Sequence, residues 1–158
     1  MKKANVIIAI CIGGIFFVSF SRETRRNAPN KTPEDSLAVE RRKFINLVMD
    51  SLKGREKTAA DSVFKNLQVF NSSERVPVTH FLAIMDYWGE SLGVNCTYCH
   101  SPSNWPSDAL RSKRIARDMY NMRQRINHEI LPTINGLSSK TPEVNCITCH
   151  NGKIIPQE

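Results

Sequence analysis

Apolar and polar positions alternate in a way that divides the chain sharply. After Lys2-Lys3, residues 4–20 form a 17-residue, almost entirely apolar run. Residues 22–33 then turn polar, with three arginines and two prolines, as a linker does. Beyond them the apolar residues recur at helical spacing. Leu37, Phe44, Val48 and Leu52 share one face of a first predicted helix. Thr32 would cap it, Pro33 would open its first turn, Glu34 and Asp35 would sit at the positive end of its dipole, and Gly54 would end it. A short second helix is expected over residues 59–65, followed by an extended Leu67-Gln68-Val69-Phe70. Phe81, Met85, Trp88 and Leu92 define a third helix, starting near Pro77 and stopping at Gly93. After a loop from Pro102 to Pro106, Ser107 is the expected cap of a fourth helix running to about Ile130. Its stripe is Ile115, Met119, Met122, Ile126 and Ile130. Asn135-Gly136 and Pro142 mark the closing loop.

Behind each of the last two helices stands the same five-residue spacing: Cys96-Thr97-Tyr98-Cys99-His100 and Cys146-Ile147-Thr148-Cys149-His150, each preceded by Val-Asn. Cys-x-x-Cys-His is the attachment signature of c-type haem, in which two thiols add across the vinyl groups and the His becomes an axial ligand. The attachment cysteines are therefore Cys96, Cys99, Cys146 and Cys149, and the first axial ligands are His100 and His150. The first cysteines of the two motifs lie 50 residues apart. The fold expected is mostly α: a small multihaem cytochrome c of two helix–loop–Cys-x-x-Cys-His repeats with little sheet, carrying two covalently attached haem c.

Each iron needs a second ligand if it is to shuttle electrons without binding substrate, and a thioether raises the potential relative to a second imidazole. Met85, 11 residues before Cys96 and on the apolar stripe, is a candidate for the first iron, although methionines on such stripes are also common core filler. For the second iron, Met119, Met122 and His128 are candidates. The two methionines share a face that periodicity does not resolve, while His128 lies off the stripe as a surface residue. His80, near a helix start, reads as structural.

Composition adds a compartment. The positive start and apolar run fit a signal peptide cleaved after Ser21 and equally an uncleaved membrane anchor. Both put the domain in the periplasm or on the outer face of the cytoplasmic membrane. The expected organisation is 1–21 as signal or anchor, 22–33 as linker and 34–158 as the dihaem domain. Cys11 is the odd fifth cysteine; it reads as a small buried hydrophobe, because Ile10 occupies the place where a lipoprotein site needs a small residue. The formal charge of +7 falls to +5 without Lys2 and Lys3, and haem propionates would bring the loaded protein near neutral. The basic residues are thus better read as propionate partners and a docking face than as a nucleic-acid surface. Arg111, Lys113, Arg114, Arg117, Arg123 and Arg125 crowd the fourth helix, with Arg117 and Arg114 the foremost propionate candidates.

Several segments together, Lys65-Asn66-Leu67-Gln68-Val69, Met85 with Ser91-Leu92-Gly93-Val94-Asn95-Cys96, and Ala116-Arg117-Asp118-Met119-Tyr120-Asn121-Met122 with Ile126-Asn127, resemble the photosynthetic reaction centre cytochrome c subunit family. The resemblance covers roughly residues 58–152. It implies that each haem lies along a helix ending shortly before its attachment motif, with a Met of that helix as sixth ligand: Met85 for the first iron and Met119 for the second. The photosynthetic subunit has four haems and this chain has motifs for two, and Asn151 stands where Arg would be expected. The expected function is one-electron transfer with redox partners, such as a membrane respiratory or photosynthetic complex or another cytochrome. An open iron would instead suit a small dihaem peroxidase, and two Cys-x-x-Cys pairs a zinc site.

Overall fold

The computed structural model describes residues 33–70 and 74–156. The apolar run at 4–20, Cys11, the cleavage site after Ser21 and Thr32 lie outside the described residues. Four helices make the frame: α1 (Pro33–Ser51), α2 (Val78–Leu92), α3 (Arg111–Arg125) and the short α4 (Cys146–His150). Among the described residues the only sheet-like pairings are two isolated bridges, Ala59 with Pro77 and Ser101 with Asn104. The mostly α expectation therefore holds.

α1 ends at Ser51, before Gly54, because turn bonds from Leu52 N–H to Met49 O (3.1 Å) and Arg55 N–H to Leu52 O (2.8 Å) close it early. The helix expected at 59–65 shrinks to a 3-10 turn, Ala60–Ser62. Its backbone is tied to the approach of α2 instead: Ala60 N–H donates to Val76 O (2.8 Å) and Val78 N–H to Thr58 O (2.9 Å). Leu67 to Phe70 is not a strand. Asn66 and Phe70 both have positive φ (60° and 63°), so the segment is kinked at each end. Phe70 is held there by its ring, which meets Phe81 (6.1 Å between centroids) and Tyr120 (5.1 Å) edge-on.

α2 starts and stops where its sequence signals predict, with Pro77 as cap residue and Gly93 at φ 64°. The Val94 N–H reaches back to Gly89 O (2.9 Å), closing the helix in the manner a left-handed glycine allows. α3 begins at Arg111, not near Ser107. The Ser107 hydroxyl accepts from Ala109 N–H within its own loop, and the Lys113 ammonium pins that loop through the carbonyls of Trp105 (2.9 Å) and Ser107 (3.0 Å). At its far end α3 widens into a π turn, Ile126–Ile130, and then a 3-10 turn, Leu131–Thr133. Pro132 explains the change of pitch: it has no N–H to give, and its ring crowds the carbonyl four residues back.

The core gathers Ala60, Val69, Val78, Phe81, Leu82 and Tyr120, with Ile45, Val48, Met49 and Leu52 of α1 packed against it. An aromatic chain runs through it from Phe64 to Phe81 (5.0 Å) and, on the far side of Phe70, from Tyr120 to Trp88 (5.7 Å). α1 packs on α2, and α4 packs on the end of α2.

Candidate haem sites

Between α1, α2 and the start of α3 lies a cavity of about 590 Å³, within the range of pockets that enclose a small-molecule cofactor. Its walls bring together Met85, Cys96, Cys99 and His100, all the residues that the sequence assigns to a first haem. The rest of the lining is largely apolar, with Phe44, Val48 and Leu52 from α1, Phe81, Trp88 and Leu92 from α2, and Phe64 and Val69 from the intervening loop. A flat apolar ring with a polar edge fits such a lining.

The imidazole of His100 is oriented before any metal arrives. Its Nδ1 lies 3.2 Å from Trp105 O, and a carbonyl only accepts, so Nδ1 carries the proton and Nε2 keeps its lone pair. Burial pushes the His100 pKa down, which keeps the ring neutral, the form that binds metal. Desolvation pushes the Cys96 and Cys99 thiols up. They are protonated at neutral pH, which argues against a thiolate redox or nucleophile site.

The second motif is built differently. α4 is the Cys146–His150 turn itself, capped by Asn145: its side chain accepts from Thr148 N–H (3.3 Å), while Thr148 Oγ accepts from Asn145 N–H (3.1 Å). Asn95 has a parallel place before the first motif, where it accepts from the Thr97 hydroxyl (2.7 Å) and donates to Glu40 (2.7 Å). The Asn before each motif is thus bonded to a threonine of the turn, but only Asn145 caps the turn's backbone. His150 repeats the tautomer logic, with Nδ1 2.9 Å from Lys153 O. Asn151 follows in the left-handed conformation (φ 45°), which Asn tolerates better than Arg, a local reason for the residue found there.

Val144 docks the second motif on α3. Arg123 Nε donates to its carbonyl (3.1 Å), as does Asn127 Nδ2 (2.9 Å), and its N–H donates to Asn127 Oδ1 (2.8 Å). Met119 stands one turn before Arg123 on the adjoining helix face and is 37% exposed. Met122 is 46% exposed and lines a separate depression with Asp118, Asn121, Arg125, Ile126 and Ile130, which includes no residue of the second motif. Around and beyond the second motif, Ile115, Ile130, Ile134, Leu137 and Ile147 keep apolar surface exposed. His128 is exposed in the π turn, and His80 is exposed at the start of α2.

The two motifs meet at the end of α2. Gly152 N–H donates to Ser91 O (2.9 Å), and a side chain on Gly93 would run into the Gly152 carbonyl. The exit of the second motif therefore rests on the helix end that leads into the first.

Of the two foremost propionate candidates, Arg117 borders the cavity, held by Asp108 (2.9 Å) and by Asn66 O (3.1 Å). Arg114 does not. It lies at the surface with its guanidinium on the Asp108 carbonyl (2.5 Å). The residue that pattern reading missed is Arg41. It is 6% exposed and lines the cavity, with Nε on Asp86 Oδ1 (2.8 Å) and Nη1 near Val94 O (3.3 Å). Its signal was present: Arg41 lies four residues after Leu37 and four before Ile45, a lone charge inside an apolar stripe. Trp105, between two prolines, was passed over as loop, yet it orients His100 and stacks on Phe44 (5.6 Å, edge-on). Among the described residues no group of three or more His, Cys, Asp or Glu side chains is placed to hold a metal ion.

Comparison with known proteins places this geometry in a family. The family described as "Photosynthetic reaction centre cytochrome C subunit" matches residues 23–158. The photosynthetic reaction center cytochrome c subunit of Thermochromatium tepidum is 28% identical over 114 residues, 71% of this chain and 27% of that protein. The corresponding subunit of Roseobacter denitrificans is 30% identical over 109 residues, 67% and 28% respectively. Cytochrome c-554 of Chloroflexus aurantiacus is 31% identical over 86 residues, 54% and 20%. The chain thus spans about a quarter of the length of these curated relatives. With an extensive match beginning before the first helix and running through both Cys-x-x-Cys-His motifs, the chain belongs to the photosynthetic reaction centre cytochrome c subunit family.

Proposed function

We propose that this protein is a dihaem c-type cytochrome that transfers single electrons between redox partners outside the cytoplasmic membrane. The observation that carries the proposal is the apolar cavity whose walls collect Met85, Cys96, Cys99 and His100. Cys96 and Cys99 would hold the first haem with His100 and Met85 as axial ligands, and Cys146 and Cys149 the second, with His150 and Met119. Bound haem supplies the iron couple that accepts and releases one electron.

The chain's part is positional. Trp105 O and Lys153 O each hold an imidazole with Nε2 available. The α2 stripe presents Met85 to the cavity and lines it with the apolar side chains of Phe81, Trp88 and Leu92. Met119 is favoured over Met122 because Arg123 and Asn127 anchor the second motif beside the Met119 face of α3. The contact of Gly152 with Ser91 supports a short separation between the two sites, as a relay of electrons requires.

Two protein ligands per iron leave no position for a substrate, which separates this reading from a peroxidase. The exposed second site is the natural edge for contact with a partner, whether a membrane respiratory or photosynthetic complex or another cytochrome. Among the described residues no helix is long and apolar enough to cross a membrane, so any attachment would fall to residues 4–20.

The test is a redox titration with Met85→His. The variant keeps a low-spin haem and lowers one of two midpoint potentials, since imidazole in place of thioether lowers the couple. Two unmoved potentials would refute the ligand assignment. Rapid carbon monoxide binding by the ferrous wild-type protein would favour the peroxidase reading.

A further inference from the structure

We propose that Arg41 and Arg123 are equivalent positioning residues, each clamping the carbonyl that leads into one haem-attachment turn and thereby holding that turn against its methionine-bearing helix. The inference rests on the two-haem reading above and concerns residues outside the ligand set.

The equivalence is geometric. Val94 and Val144 each stand two residues before the first cysteine of a motif. Arg41 Nη1 approaches the carbonyl of Val94 (3.3 Å), and Arg123 Nε donates to that of Val144 (3.1 Å). Each guanidinium is also fixed by a carboxylate, Asp86 for Arg41 (2.8 Å) and Glu143 for Arg123. The carbonyl at the same position is therefore bound by a carboxylate-paired guanidinium in both repeats, through Nη1 of Arg41 in the first and Nε of Arg123 in the second.

The two arginines reach their carbonyls from different places, and one position explains how. Four residues after Met85 comes Gly89; four residues after Met119 comes Arg123. In the second repeat the side chain at that position is itself the clamp. In the first repeat it is absent, and Arg41 enters from α1 through the space left. A Cβ on Gly89 would lie 2.6 Å from Arg41 Cδ and 3.1 Å from Val94 O. Gly89 is thus the doorway for a guanidinium supplied by a neighbouring helix, and the duplication conserves the contact rather than its source.

A charge-assisted hydrogen bond to a loop carbonyl sets where the loop rests. Loosening it lets the attachment turn shift against the helix and weakens the hold of that helix's methionine on iron. Each clamp should therefore govern its own haem.

The experiment uses the mature holoprotein with Arg41→Met, Arg41→Lys, Arg123→Met, Arg123→Lys and Gly89→Ala. The potential moved by Met85→His identifies the first haem. Arg41→Met is expected to shift that couple alone and to speed carbon monoxide binding there by about tenfold, the ratio one charge-assisted hydrogen bond supports. Arg123→Met should do the same at the other haem alone. Gly89→Ala, which crowds Arg41 without removing it, should shift the same couple in the same direction as Arg41→Met even if the latter matures poorly. Lysine keeps the charge but does not serve carboxylate and carbonyl together, so the Lys variants should resemble the Met variants. Lys variants indistinguishable from wild type would overturn the clamp in favour of a plain charge effect, and shifts shared by both haems, or by neither, would overturn it outright. A wild-type protein with fewer than two covalent haems would instead refute the underlying two-haem reading.

Discussion

Gly89→Ala is a substitution whose sign depends on a second residue. In a helix interior, alanine is favoured over glycine by about 1 kcal/mol. Gly89 is buried in the last turn of α2, however, and the added methyl would sit 2.6 Å from Arg41 Cδ and 3.4 Å from its Nε. Arg41 is not free to swing aside, being held by Asp86 and Val94. Either the overlap is kept as strain, costing about 1–3 kcal/mol, or the guanidinium leaves its partners, which costs about 1.5–3 kcal/mol for bonds to a charged group. Set against the helix gain, the net ranges from near zero to a loss of about 2 kcal/mol. In an Arg41→Ala background the obstacle is gone, and the same substitution should stabilise by up to about 1 kcal/mol, tempered by the nearby Val94 carbonyl. The helix gain cancels in the cycle, so the coupling between the sites is the strain or the lost bonds alone, about 1–3 kcal/mol, above the error of a double-mutant cycle. Urea unfolding of the four holoproteins, followed by far-ultraviolet circular dichroism, measures it. Equal effects of Gly89→Ala in both backgrounds would refute the argument that Arg41 passes over Gly89.

Other outcomes follow from the same coordinates. Met119→His should lower the second midpoint potential and Met122→His should leave both unchanged; a redox titration giving the reverse would reassign the ligand. Phe81→Ala removes a buried ring packed on Phe64 and Phe70 and should cost about 3–5 kcal/mol in denaturant unfolding; a loss under 1 kcal/mol would contradict the packing described. Asp108 is held down to about 2 from its ordinary 3.8, first by the Arg117 guanidinium and then by Asn66. A lowered carboxylate pKa contributes stability above the ordinary value and loses it as pH falls through the folded one. Asp108→Asn should therefore flatten the decline of stability between pH 4 and pH 2, and an unchanged acid limb would remove Asp108 from the account.

The helices were legible because each leaves a local mark. The four-residue stripe of Phe81, Met85, Trp88 and Leu92 and the stop at Gly93 place α2 almost to the residue. The start of α3 was misjudged because the competing interaction is not local: Lys113 reaches back to Trp105 and Ser107 and keeps the chain out of the helix until Arg111. The extended reading of Leu67–Phe70 failed likewise, since Phe70 takes its positive φ from rings on α2 and α3. At the site, cysteines and histidines are announced by spacing, whereas Arg41 and Trp105 act across 53 residues and 5 residues respectively through backbone carbonyls, which no motif records. Periodicity also left Met119 and Met122 level. The proposal for Met119 rests instead on Val144, a residue whose docking on Arg123 and Asn127 depends on the loop's path.

The most direct test of the account is the amount of covalent haem per chain. A pyridine haemochrome assay on protein exported through a competent maturation pathway, read beside its denatured intact mass, should give two haems per polypeptide. One haem, or none, would contradict it.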